Sequence, residues 1–134
     1  MSEPSEKSKK KELYLELKEL DQEIKKLNAN VENIDEQISE LESNKSIIGK
    51  FTGLKANDEL RVPLVSGVYF KAKLVDTKSV MVNVGANVTV EKPPLEVVEI
   101  LEGQTNELND YRANLIAQMK QLIERIEQIQ KEVE

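Results

Sequence analysis

Leu13, Leu17, Leu20, Ile24, Leu27, Val31, Ile34, Ile38 and Leu41 follow one another at alternating intervals of four and three residues without a miss. An apolar repeat averaging 3.5 residues marks a helix that buries one narrow seam against a partner helix. Lys45 interrupts the seam and Ile48 resumes it just before Gly49. From Ser5 to Ile48 there is neither Gly nor Pro, and from Leu95 to Glu134 only Gly103, so two long helices with a punctuated middle are predicted. The second helix opens at Pro94, which suits a first helical turn because its missing N–H has no intrahelical partner there. It carries Leu101, Leu108, Leu115, Leu122 and Ile129 at strict sevens, with Thr105, Arg112, Met119, Ile126 and Val133 on the alternate seam. Arg112 then faces Val31, where a charge either sets register at a cost in stability or snorkels outward along its stem.

The two seams test each other. Partners on antiparallel helices have residue numbers with a constant sum, and Leu13 with Ile129, Leu20 with Leu122, Leu27 with Leu115, Ile34 with Leu108 and Leu41 with Leu101 all sum to 142. The alternate seam pairs Leu17 with Ile126, Ile24 with Met119, Val31 with Arg112 and Ile38 with Thr105. A hairpin of two arms, each about 60 Å long at about 1.5 Å per residue, is therefore expected. Two such arms bury only a strip.

The middle changes character. Nine of the thirteen valines lie between residues 59 and 91, and Val68, Phe70, Ala72 and Leu74 alternate with Tyr69, Lys71, Lys73 and Val75 as in a half-buried strand. Leu60, Val62 and Leu64 precede it through Ser66-Gly67; Val80, Val82 and Val84 follow, and Val88 and Val90 come after Gly85-Ala86-Asn87. Two β-hairpins in series are predicted, with Pro63 placing the first strand at an edge or a bulge. Four short strands with one apolar face have no lid of their own. Val62, Leu64, Val68, Phe70, Leu74, Val80, Val82, Val84, Val88 and Val90 are thus the candidate subunit-assembly residues.

Composition bears on function. The chain has no Cys and no His, which removes disulfides, thiolate or imidazole metal ligands and the commonest general base. Val84-Gly85-Ala86-Asn87 lacks the length and the Lys of a phosphate-binding loop. No catalytic, cofactor-binding or metal residue is assigned, and the chain is not expected to be an enzyme. A net charge of −6 disfavours nucleic acid, and no apolar run is long enough for a membrane span. A polar start argues against a signal peptide, so a cytoplasmic location is expected. At the open end of the arms, Leu13, Tyr14, Leu17, Ile123, Ile126, Ile129 and Val133 are more apolar than the pair requires; fraying of the last turn would expose them, and ragged helix termini look the same.

From Val62 to Lys92 the chain reads VPLVSGVYFKAKLVDTKSVMVNVGANVTVEK. With its Pro63-Leu64 pair, Gly67-Val68-Tyr69 before a basic strand, Val82-Asn83-Val84-Gly85 and closing Val90-Glu91-Lys92, this segment resembles the centre of alpha-class prefoldin subunits, which have two hairpins where beta-class subunits have one. The resemblance spans nearly the whole chain. It implies an α+β fold: a long antiparallel coiled-coil hairpin with two central β-hairpins that join an intersubunit β-barrel. Residues 1–8 are expected as a disordered tail, 9–48 and 94–134 as coiled-coil arms, and 49–93 as the head, in one prefoldin-like unit. The resemblance also implies an ATP-independent chaperone subunit, assembled with prefoldin beta subunits as two alpha plus four beta. Such an assembly holds non-native polypeptides at the arm tips and delivers them to a group II chaperonin. A filament-forming structural scaffold is the alternative, because self-complementary hairpins whose contacts do not close propagate.

Overall fold

The structure, a computed structural model, describes residues 5–133. The elements run α1 (Glu6–Phe51), β1 (Glu59–Val65), β2 (Val68–Lys73), β3 (Val80–Gly85), β4 (Val88–Lys92) and α2 (Pro94–Val133). This is the predicted order. Two differences concern ends. Residues 1–4 of the expected tail, like Glu134, lie outside the described residues, but Glu6–Ser8 of that tail are helical. Ser5 explains it: its Oγ accepts from the Ser8 N–H at 3.2 Å, a side-chain cap that satisfies an otherwise orphaned donor. At its other end α1 runs through Gly49 to Phe51 and closes with Thr52, whose hydroxyl donates to the Gly49 carbonyl at 2.6 Å. α2 starts as the sequence predicts, with the Glu96 and Val97 amides donating to the Pro93 carbonyl.

The molecule divides into two units. The first takes α1 up to Ile38 and α2 from Glu107 onward; the second is Ser39–Asn106. In the first, Val31, Ile34 and Leu115 are buried together, with Leu27, Ile38, Leu108 and Met119 packed around them. Two forked ion pairs flank that core. Arg112 reaches Asp35 at 2.6 Å and Arg125 reaches Glu16 at 2.9 and 3.1 Å, so the two helix segments run antiparallel.

Every seam position of both helices is buried or half-buried, which confirms the heptad reading residue by residue. The cross-helix ion pairs stand on either side of the constant-sum register: Arg112 with Asp35 and Lys45 with Glu102 add to 147, Arg125 with Glu16 to 141. Leu115 packs with Val31 and Ile34, and Leu27, its expected partner, packs against the same cluster together with Leu108. Within the second unit, Leu101 lines a groove with Asn44, Ile47, Ile48 and Val97, and Thr105 shares one with Glu42 and Lys45. A shift of half a heptad carries one seam onto the other, so both registers bury the same apolar residues and the pattern alone does not choose between them. Arg112 leaves the seam for Asp35, and Lys45 bonds Glu102 at 2.9 Å instead of interrupting the contact. Thr105, buried, turns its hydroxyl onto the Leu101 carbonyl of its own helix.

In the second unit β1 pairs with β2 and β3 with β4, each pair antiparallel and forming its own two-stranded sheet. Val62 stands opposite Phe70 and Leu60 opposite Ala72; Val82 stands opposite Val90. Each ladder carries a register shift just before its turn, between Pro63 and Val65 and between Asn83 and Gly85. The first absorbs the proline, whose missing donor a regular ladder would expose. Gly67 supplies the positive φ of one turn, and Ala86 and Asn87, both at positive φ, form the other.

Candidate functional site

Each unit carries one candidate surface. In the head, the apolar face of the hairpins is graded. Val62, Leu74, Val80, Val82 and Val90 are half-buried within the chain, whereas Leu64, Val68, Phe70, Val84 and Val88, toward the turns, are exposed. Phe70 keeps 49% of its surface accessible. The bases of the hairpins share a groove lined by Phe51, Leu60, Leu74, Val80 and Met81, and beyond it Leu64, Val65, Val68 and Val84 stay exposed among the described residues. All four strands have one free edge, a row of unpaired backbone donors and acceptors that invites another strand. Three further large apolar residues of the strands are exposed that the alternation did not single out. Val65 joins through the bulge that sets it opposite Val68, and Tyr69 and Met81 are exposed on the other faces of their hairpins. The turn chemistry of Pro63 signals the first of these; the other two have no sequence signal beyond being large and apolar in a strand.

At the ends of the arms the seven predicted contact residues separate into two kinds. Tyr14 and Ile123 are exposed, at 57% and 43%. Leu13, Leu17, Ile126 and Val133 are half-buried seam residues, and Ile129 is fully buried, so the expectation that Ile129 offers a surface is corrected: it zips the two helices. A strict seven-residue spacing places Ile129 at the centre of the seam, which is why helix pairing claims it first. Leu15, missed in the sequence because it lies off the seam, is exposed at 56% beside Tyr14.

The Arg125–Glu16 fork ties this end together. The hydrogen bond from Arg125 holds the Glu16 carboxyl below its ordinary 4.5, burial works against that, and the attraction of the Arg125 charge adds to it. Since the folded-state pKa is the lower one, the fork's contribution is present above pH 4.5 and is lost as pH falls through the folded value. Acidification below that range is expected to loosen the arm ends in the wild type, seen as faster amide exchange in the first turns of α1. Glu16→Gln removes this increment. Elsewhere, the Lys45 ammonium is raised above 10.5 chiefly by its hydrogen bond to Glu102. Among the described residues no His, Cys, Asp and Glu are grouped to hold a metal, and no helix is long and apolar enough to cross a membrane.

Comparison with known proteins fits this geometry. The family model described as "Prefoldin subunit" matches residues 20–134. The chain is 33% identical over 97 residues to prefoldin subunit alpha of Methanococcus aeolicus, covering 72% of this chain and 67% of that one. It belongs to the prefoldin alpha family. Prefoldin subunit alpha of Methanococcoides burtonii matches at 27% identity over 99% of this chain and 96% of its own length. Among solved structures, the filamentous PFD of Methanocaldococcus jannaschii, seen by cryo-EM, superposes with a TM-score of 0.76 over 89% of this chain and 98% of that one, at 22% identity. That likeness is one of fold. The prefoldin plan of two long helices around two β-hairpins is therefore the plan of this chain, including the second hairpin on which the alpha-class reading rested.

Proposed function

We propose that this chain works as the alpha subunit of a hexamer with four beta subunits and one further copy of itself, holds non-native polypeptides at its arm ends, and delivers them to a group II cytosolic chaperonin. Membership of the prefoldin alpha family makes it a molecular-chaperone subunit that forms oligomeric complexes with other prefoldin subunits. The observation that carries the finer reading is the exposure of Tyr14, Leu15 and Ile123 on helices whose seam is otherwise closed. Apolar groups left out of a satisfied seam are available to a client. Several such weak sites in one assembly would hold an unfolded chain through high effective concentration, each releasing readily, and no nucleotide is needed for that. The open strands of the head supply the assembly surface, with Val84, Val88 and Phe70 passing into a barrel shared between subunits.

The test mixes the purified chain with prefoldin beta subunits, measures mass by light scattering, and adds a denatured client. A complex with two alpha and four beta subunits that suppresses client aggregation is expected. Growth into filaments without beta subunits, with no effect on the client, supports the scaffold reading instead, which the free strand edges also allow.

A further inference from the structure

Lys7, Lys10, Lys11 and Lys18 surround Tyr14 and Leu15 in a shallow groove of about 540 Å³ on α1 alone. At about 100° per residue Lys7, Lys11, Tyr14, Leu15 and Lys18 share one face, turned roughly 140° away from the seam of Leu13, Leu17 and Leu20, while Lys10 stands between that face and the seam. The helix pairing therefore makes no use of them. All four lysines are exposed, and none of them is in an ion pair among the described residues. The next carboxylate along that face, Asp21, is engaged by Lys25 at 3.2 Å. A cationic rim around two large apolar side chains thus stands on a chain whose net charge is −6.

We infer that this groove selects among clients, taking polypeptide segments in which a large apolar side chain is flanked by Asp or Glu. The inference rests on the proposed holding function and gives it a preference. The apolar side chain covers Tyr14 and Leu15 while the flanking carboxylates meet the ammonium groups. That complementarity discriminates against basic segments, because like charges brought together repel. Two exposed apolar residues bury too little to seat α1 on a bilayer, and four charges along about 17 Å of helix are few for tracking a phosphate backbone. An acidic peptide is thus the partner that uses both the rim and the floor.

Two labelled unstructured peptides of equal length and equal apolar content, one flanked by Glu and one by Lys, are titrated against the assembled full-length chain at low and moderate salt. Exposed ion pairs contribute little singly, so a preference of about tenfold for the Glu peptide, shrinking with salt, is the expected scale. Replacing the four lysines together (Lys7→Gln, Lys10→Gln, Lys11→Gln, Lys18→Gln) keeps helix propensity and is expected to abolish the preference while an uncharged peptide binds as before. Equal binding of both peptides by the wild type, or a preference that survives the four substitutions, overturns the inference and leaves holding intact. Tighter, lysine-dependent binding of an anionic phospholipid vesicle or of an RNA oligonucleotide overturns it in favour of that ligand. Failure to bind any peptide defeats the holding reading along with it.

Discussion

Phe70→Asp dissolves the oligomer and leaves the far-ultraviolet helical signal of the two long helices nearly unchanged. Phe70 stands opposite Val62 on the apolar face of the first hairpin and is half exposed in the single chain, so the substitution costs the lone subunit little. In the proposed assembly the same position would be covered by another copy or another subunit. A carboxylate placed there loses its water without gaining a partner, a penalty of several kcal/mol, and each 1.4 kcal/mol is a factor of ten in the association constant. The expected loss of affinity is at least a hundredfold, read as a fall in mass by light scattering at micromolar concentration. A variant of full assembled size shows that this strand faces solvent in the complex. The face of Tyr69 would then be the one that assembles.

The second large effect separates holding from zipping. Replacing Tyr14, Leu15 and Ile123 together by Ser removes three exposed side chains that the helix seam does not use. Suppression of client aggregation should fall by about tenfold or more with assembled size and thermal midpoint retained, since surface substitutions away from packed contacts shift stability by about 0.5 kcal/mol or less each. Ile129→Ala is the counterpart. Its side chain is wholly buried, and truncating a buried Ile costs about 2–5 kcal/mol, so it should loosen the arm ends, measured by amide exchange, before it touches client affinity directly. Undiminished holding by the triple variant would move the client site away from these residues. Loss of holding by Ile129→Ala without any loosening would restore Ile129 to the contact surface.

The architecture was legible because it depends on periodicities that a chain displays along its length. An alternation of three and four residues with no Gly or Pro for more than forty positions can only be buried as a paired helix, and a switch to strict alternation among valines can only be buried as strand. Pro63, Ser66-Gly67 and Ala86-Asn87 fixed where the hairpins turn, since each needs backbone angles or a missing donor that few residues supply. The pattern also placed Thr105, Arg112 and Lys45 on or beside the seam.

What the tertiary structure decided is which equivalent arrangement wins. A heptad repeat is nearly self-identical after half a heptad, so its apolar residues specify contact without specifying register; the ion pairs of Arg112 with Asp35 and Lys45 with Glu102, separated by 77 and 57 positions in the chain, form only once the helices have paired. Burial at the arm ends follows the seam, with Ile129 on a strict-seven position and buried and Ile123 off both seams and exposed, but how far each flanking residue is exposed was set only by the pairing. The capped start at Ser5 and the basic groove around Tyr14 depend on helix continuing through a polar stretch that has no apolar pattern to announce it. Apolar periodicity is carried by every residue of an element, so the sequence alone suffices for it. Register, rotation and exposure follow from a few long-range contacts, which exist only once the chain has folded back on itself.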